Sequence, residues 1–172
     1  MKVEDKEWVK VDTGHPHGYR PDVAEFYTLR TPRDLLDKAK REYSKLQATP
    51  STDTVFNFFV TAYHVIDYVK VLATVSPTFI DSMYADDDFK LCQFLCNKGK
   101  HLELRKPAPY GAKHEPAVEG GTLGTFLLGA DRLGGPERYI VVVDDSEEID
   151  VVELGKRLLD KWEKFFADNH IP

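Results

Sequence analysis

Two groups of side chains in this sequence have the types and spacing that chemistry requires. The first is "CNKGKH", Cys96 to His101, which gathers the amide of Asn97, the ammonium groups of Lys98 and Lys100, and the imidazole of His101. Asn97 and His101 are four residues apart, so on a helix they stand nearly above one another. Such a set can hold an anion, and the imidazole can move a proton near neutral pH. Lysines in the last turn of a helix are also what its dipole favours, so a solvated helix end is the plain alternative. The second group lies on "FNFFVTAYHVIDYV". Asn57, Thr61, His64 and Tyr68 form one helical stripe, with Asp67 a turn from His64 on its shoulder. Polar groups on an apolar helix must find partners. Either they line a pocket, with Asp67 orienting or charging His64 beside Tyr68, or they satisfy one another and nearby backbone inside a bundle.

Other chemistries find less support. His64, Asp67 and His101 could approach one ion, but no His-Glu-x-x-His or Glu-x-x-His pattern accompanies them, and no metal is assigned. The pair His15 and His17 is looser still. Cys92 and Cys96 fall on the apolar side of their helix, with no histidine-bearing motif around either, and read as small hydrophobes. "GGTLGTFLLG" lacks the Gly-Lys-Ser/Thr ending of a phosphate loop, so no cofactor is expected.

The elements that must position these groups are mostly helical. "TPRDLLDKAKREYSKL" has a cap at Thr31, proline at the first helical position and Leu35, Leu36, Ala39, Tyr43 and Leu46 at helical spacing. A second helix runs from about Ser51–Asp53 to before Pro77, and its apolar surround places it at the centre of a bundle. A third starts near Asp86–Asp88 and ends at the "CNKGKH" cluster. "TLGTFLLG" and "RYIVVVDD" read as two strands of a hairpin, after a Pro/Gly-rich connection, "KPAPYGAKHEPAVEGG". From Ser146, Val151, Leu154, Leu158, Trp162 and Phe165 make the buried stripe of a closing helix. The expectation is a mostly α (α+β) chain: a four- to five-helix bundle with a small antiparallel β-hairpin or sheet between the third and last helices. As a single domain over 1–172, it divides into an irregular segment (1–30), three helices (31–101), the hairpin region (102–145) and the C-terminal helix (146–169).

At 172 residues, 42% hydrophobic and 30% charged, the chain has the size and composition of one domain with a real core. No run of about eighteen apolar residues argues for a membrane span. The first residues carry acids and no apolar signal region, and two helical cysteines make no disulfide framework, so a cytoplasmic location is expected. A net charge of −6 argues against a general nucleic-acid coat. The charge is uneven, however. Lys98, Lys100, Arg105, Lys106 and Lys113 face only Glu103 between residues 98 and 114, a window of +4 that leaves −10 for the rest.

"CNKGKH", together with the aromatic-rich, histidine-bearing "FFVTAYHVIDYV" helix before it, resembles HEPN domains, the small helical bundles of prokaryotic toxins, defence systems and mobile elements. Their signature is an Arg, usually followed by a polar residue, and then a His with four to six residues between the Arg and the His, late on a helix. Asn97 matches the polar residue and His101 the histidine, over a likeness spanning about residues 52–104. In active members the resemblance implies metal-independent RNA cleavage, with the Arg holding the phosphate, the His aiding attack by the 2′-hydroxyl, and two motifs meeting across a homodimer. Cys96 stands at the Arg position, and a thiol cannot hold a phosphate as a guanidinium does. Lys98 and Lys100 offer point charges, read here as lying on another side of the helix from Cys96. The resemblance therefore implies a HEPN-like binder of RNA, a nucleotide or a protein partner, with His101 and Asn97 as the motif pair. Ligand contacts fall to Lys98, Lys100, Arg105, Lys106, His64, Asp67 and Tyr68. An active ribonuclease and an interaction protein with no nucleic-acid role are the two rival readings.

Overall fold

Helix α1 (Pro32–Ala48) starts where its sequence dictates. Thr31 Oγ1 accepts the Asp34 N–H at 3.1 Å while the Asp34 carboxylate accepts the Thr31 N–H at 2.9 Å, a reciprocal capping box with Pro32 at the first position. Helix α2 (Thr52–Leu72) is capped in the same way by Ser51 and Thr54. The structure, a computed structural model, describes residues 26–73, 75–101, 114–119, 137–143 and 147–172.

By length and mean hydropathy (1.2), α2 would suffice to cross a bilayer. Here it is the core helix: α1, α4 and α5 pack on it, and Phe58, Phe59, Ala62, Val65, Ile66 and Val69 are buried. Two helices follow where one is expected. The extra one, α3 (Pro77–Ala85), starts at a proline and buries Ile80 and Met83, three residues apart on one side. The chain then turns extended at Asp86, whose carboxylate accepts the N–H groups of Asp88 (3.0 Å) and Phe89 (3.3 Å) and so starts α4 (Asp87–Lys100). Residues 31–101 thus hold four helices.

A three-stranded antiparallel sheet has the order β1 (His114–Glu119), β2 (Arg138–Val143), β3 (Glu147–Asp150). Its centre is the expected "RYIVVV" strand, with Ile140 and Val141 buried. Its neighbours differ from expectation. Residues 122–129, the other half of the predicted hairpin, lie outside the described residues. Both edges of β2 between Ile140 and Val143 are already paired, with β1 on one side and β3 on the other. β1 comes from the stretch read as a connection. Pro116, which has no N–H to give a second neighbour, is tolerated there because β1 is an edge strand. β3 comes from the stretch read as the first turn of the closing helix.

That helix, α5 (Val151–Asp168), begins at Asp150, which ends β3 and caps α5 by accepting the Val152 N–H at 2.8 Å and the Glu153 N–H at 3.2 Å. All five residues of its expected stripe are buried, Trp162 completely. The Trp162 indole N–H donates to the Ala62 carbonyl of α2 at 3.1 Å. At Gly155, an added Cβ would meet Phe58 and Tyr43 at 3.0 Å, so the missing side chain is what lets α1, α2 and α5 converge. The architecture among the described residues is five helices and one small sheet, the mostly α (α+β) bundle that the periodicity predicts.

Candidate functional site: the C-terminal end of α4

The two ends of α4 differ in charge and in partners. Its N-terminal acids are tied to α5: Arg157 forks onto Asp88 (2.9 Å), and Lys161 donates to Asp86 (2.6 Å) and reaches Asp88 (2.8 Å). Burial alone would raise the Asp88 carboxyl, but the Arg157 and Lys161 hydrogen bonds hold it below the usual carboxylate range. At the other end Lys98 and Lys100 occupy the last turn, where the dipole favours cations. His101 is the C-cap, its backbone N–H donating to the Asn97 carbonyl at 2.9 Å. Lys98, Lys100 and His101 are exposed, and Asn97 is half-buried.

Between these ends α4 crosses α2. Gln93 donates to the Tyr63 hydroxyl at 2.6 Å, and the Cys92 thiol lies 3.8 Å from the Phe59 carbonyl. One turn on, His64 of α2 meets the end of α4. Its Nδ1 is 2.6 Å from the Val60 carbonyl and its Nε2 is 3.1 Å from the Lys100 ammonium. A carbonyl only accepts and an ammonium only donates, so the imidazole here is neutral, with its proton on Nδ1. Cys96 Sγ is 3.9 Å from that same Nδ1, whose hydrogen is already given to Val60. The thiol is fully buried, and burial raises its pKa against the opposing pull of Lys100. It is therefore no nucleophile. Lys100 stands one turn beyond Cys96 and on its side of the helix, a correction to the sequence reading.

The polar stripe of α2 divides between two helices. Thr61 is buried against α1, where its hydroxyl donates to the Asn57 carbonyl (2.7 Å) and accepts from Lys38 (2.8 Å). Lys38 also reaches Glu42, a buried carboxylate that Lys45 holds as well. His64 instead turns to α4. Asn57 and Asp67 are exposed, and Tyr68 is half-buried against the core. The imidazole's partners are Val60 and Lys100; among the described residues Asp67 makes no hydrogen bond with it. Two of the stripe's polar side chains, Thr61 and His64, thus meet backbone carbonyls and the lysines of α1 and α4. His101 joins no side-chain hydrogen bond among the described residues, and Lys100 is the member of the cluster that meets His64. Arg105 and Lys106, with His15 and His17, lie outside the described residues. Among the described residues no three His, Cys, Asp or Glu side chains group as metal ligands would.

One residue at this end escapes sequence reasoning. Phe56 of α2 is 39% exposed, and its ring lies directly on Gly99, which stands between Lys98 and Lys100 in α4. The only sequence signal is a glycine inside the last turn of a helix, which by itself names no partner.

Compared with models of known protein families, with curated protein sequences and with solved structures, the chain matches none.

Proposed function

We propose that the C-terminal end of α4 is a phosphate-binding surface and that the protein is a HEPN-like binder of RNA that does not cleave it rapidly. The observation that carries this reading is the state of the cations. Many of the other described lysines and arginines hold carboxylates, as Lys40 does Glu163, Arg157 does Asp88 and Lys164 does Asp168, while Lys70 donates to the Tyr84 hydroxyl. Lys98 and Lys100 are exposed, and neither has a carboxylate partner among the described residues. The partners of Lys100 among the described residues are the His64 imidazole and the Cys96 thiol, both uncharged. Exposed ammonium groups beside an exposed imidazole are what a phosphate backbone selects. Rapid cleavage does not follow, because Cys96, at the position where the family resemblance implies a phosphate-holding Arg, is a fully buried thiol. A homodimer bringing two such ends together belongs to the same reading, as does a prokaryotic cytoplasm.

The test is RNA binding as a function of salt, in EDTA. Single-stranded RNA should bind with a log–log salt slope of about −0.7 for each phosphate contact. Lys98→Ala with Lys100→Ala should flatten that slope by up to about 1.4, and intact RNA should be recovered after incubation. Absence of binding at about 50 mM salt would overturn the reading and leave an interaction role in its place.

A further inference from the structure

We infer that Phe56 is a stacking platform for an unpaired base, so that the surface at the end of α4 selects single-stranded nucleic acid. The inference rests on the phosphate-binding reading and deepens it. Phe56 is 39% exposed, although α2 is the helix on which three others pack. A Cβ on Gly99 would fall 2.8 Å from its Cδ2 and 3.2 Å from its Cε2. Gly99 lies within α4 and before its C-cap, His101, so it is not the left-handed glycine that ends many helices. A glycine at such a position weakens a helix relative to alanine, and what it permits here is the close approach of an aromatic ring.

The ring therefore sits over the last turn of α4, with Lys98 and Lys100 flanking the residue it rests on. An aromatic surface near two exposed lysines, one of them with its ammonium on His64, matches an alternation of base and phosphate. Duplexes hide their base faces, so this complementarity belongs to single strands. Opposing charge is present: Asp53, exposed one turn before Phe56, and Asp67, one turn beyond His64. Neither forms an ion pair with Lys98 or Lys100 among the described residues.

The experiment titrates wild type, Phe56→Leu, Phe56→Tyr and Gly99→Ala into labelled oligo-uridine, oligo-deoxythymidine and duplex RNA at about 50 mM salt. Melting is followed in parallel. Phe56→Leu should weaken single-strand binding by about five- to a hundredfold while leaving duplex binding and the salt slope unchanged. Phe56→Tyr, which keeps the ring, should bind as wild type, and Gly99→Ala, whose new methyl displaces it, should weaken single strands selectively. Loss on both oligomers supports a base-and-phosphate site; loss on oligo-uridine alone supports the same site with the ribose hydroxyl read in addition. Equal loss on duplex overturns the inference, as does unchanged single-strand binding by Phe56→Leu. So does a change in self-association in place of binding, which would make Phe56 an interface between copies. If wild type binds with a lysine-dependent salt slope and Phe56→Leu changes nothing, only the platform fails. If wild type binds no oligomer, the phosphate reading fails and the platform with it.

Discussion

Replacing Trp162 by alanine tests the packing that fixes α5, and through it α4, on α2. Trp162 is fully buried, meets Phe89 of α4 edge-on at 5.1 Å and Phe165 and Phe166 of its own helix at 5.8 and 6.0 Å, and hydrogen-bonds the Ala62 carbonyl. Truncating a buried tryptophan costs about 3–5 kcal/mol, because the lost transfer energy is joined by an unfilled cavity. The indole hydrogen bond adds about 1 kcal/mol. The aromatic neighbours are held by two different helices, α4 and α5, and cannot all collapse inward, which places the expected loss at the upper end of that range. Against total stabilities of about 5–15 kcal/mol this is a third or more of the whole, and the variant should melt about 10–20 °C lower. Urea denaturation followed by circular dichroism measures this, with the midpoint falling and the slope unchanged. Trp162→Phe, which keeps a ring and drops the N–H, should lose less than half as much. A loss below about 1 kcal/mol for the alanine variant would mean that α5 does not rest on α2, and the described bundle would be wrong.

Three further outcomes are expected. His64→Ala removes hydrogen bonds to Val60 and Lys100 from a half-buried site, so stability should fall by about 0.5–1.5 kcal/mol in thermal melts, and unaltered melting would refute the contacts described here. Cys96→Arg places a guanidinium in a fully buried position beside Lys100 and should cost about 3–5 kcal/mol or prevent folding. A folded variant with EDTA-resistant RNA cleavage that His101→Ala abolishes would refute that. In pH titrations of stability, hydrogen bonds from Lys40 and Arg33 hold the Glu163 carboxyl low, and those from Arg157 and Lys161, against burial, hold Asp88 low. Depressed carboxylates stabilise fully above about pH 5 and lose their effect as the pH falls through the folded values, so stability should decline on that limb, less in Glu163→Gln. At the alkaline end burial pushes Tyr63 up to about 12, so stability should also fall as the pH rises from about 10 toward that value.

The long elements were legible because their periodicity reports directly on burial. Every stripe residue read for α1 and α5 is in the core, the cap at Thr31 is where its side chain predicted, and α2 starts within the expected Ser51–Asp53. The short elements were not. At nine residues, α3 completes too few turns for a period to stand out. "EEID" carries the acids that normally open a helix, and its extended state is set by pairing with Val141 and its neighbours, a partner the local sequence does not name. Likewise the edge strand His114–Glu119 contains a proline that local rules count as a breaker, and its place in the sheet depends on β2.

For the site, periodicity gave a face and the neighbouring helices decided its meaning. Thr61 and His64 are three residues apart on one stripe, yet the first answers to Lys38 of α1 and the second to Lys100 of α4. The two contacts differ in kind. Lys38 is half-buried and bridges a buried hydroxyl and the buried carboxylate of Glu42, so withdrawing it would cost two polar contacts in a partly dry site. Lys100 is exposed and leans on a neutral ring nitrogen, a weaker acceptor than any phosphate oxygen. On the phosphate-binding reading proposed above, an incoming phosphate would take Lys100 from His64 at little cost and would leave Lys38 in its network. His64 would then retain its bond to Val60. The stripe that looks continuous in sequence thus has one half committed to structure and one half free to change partner, and the free half lies beside Phe56, Gly99 and Lys98.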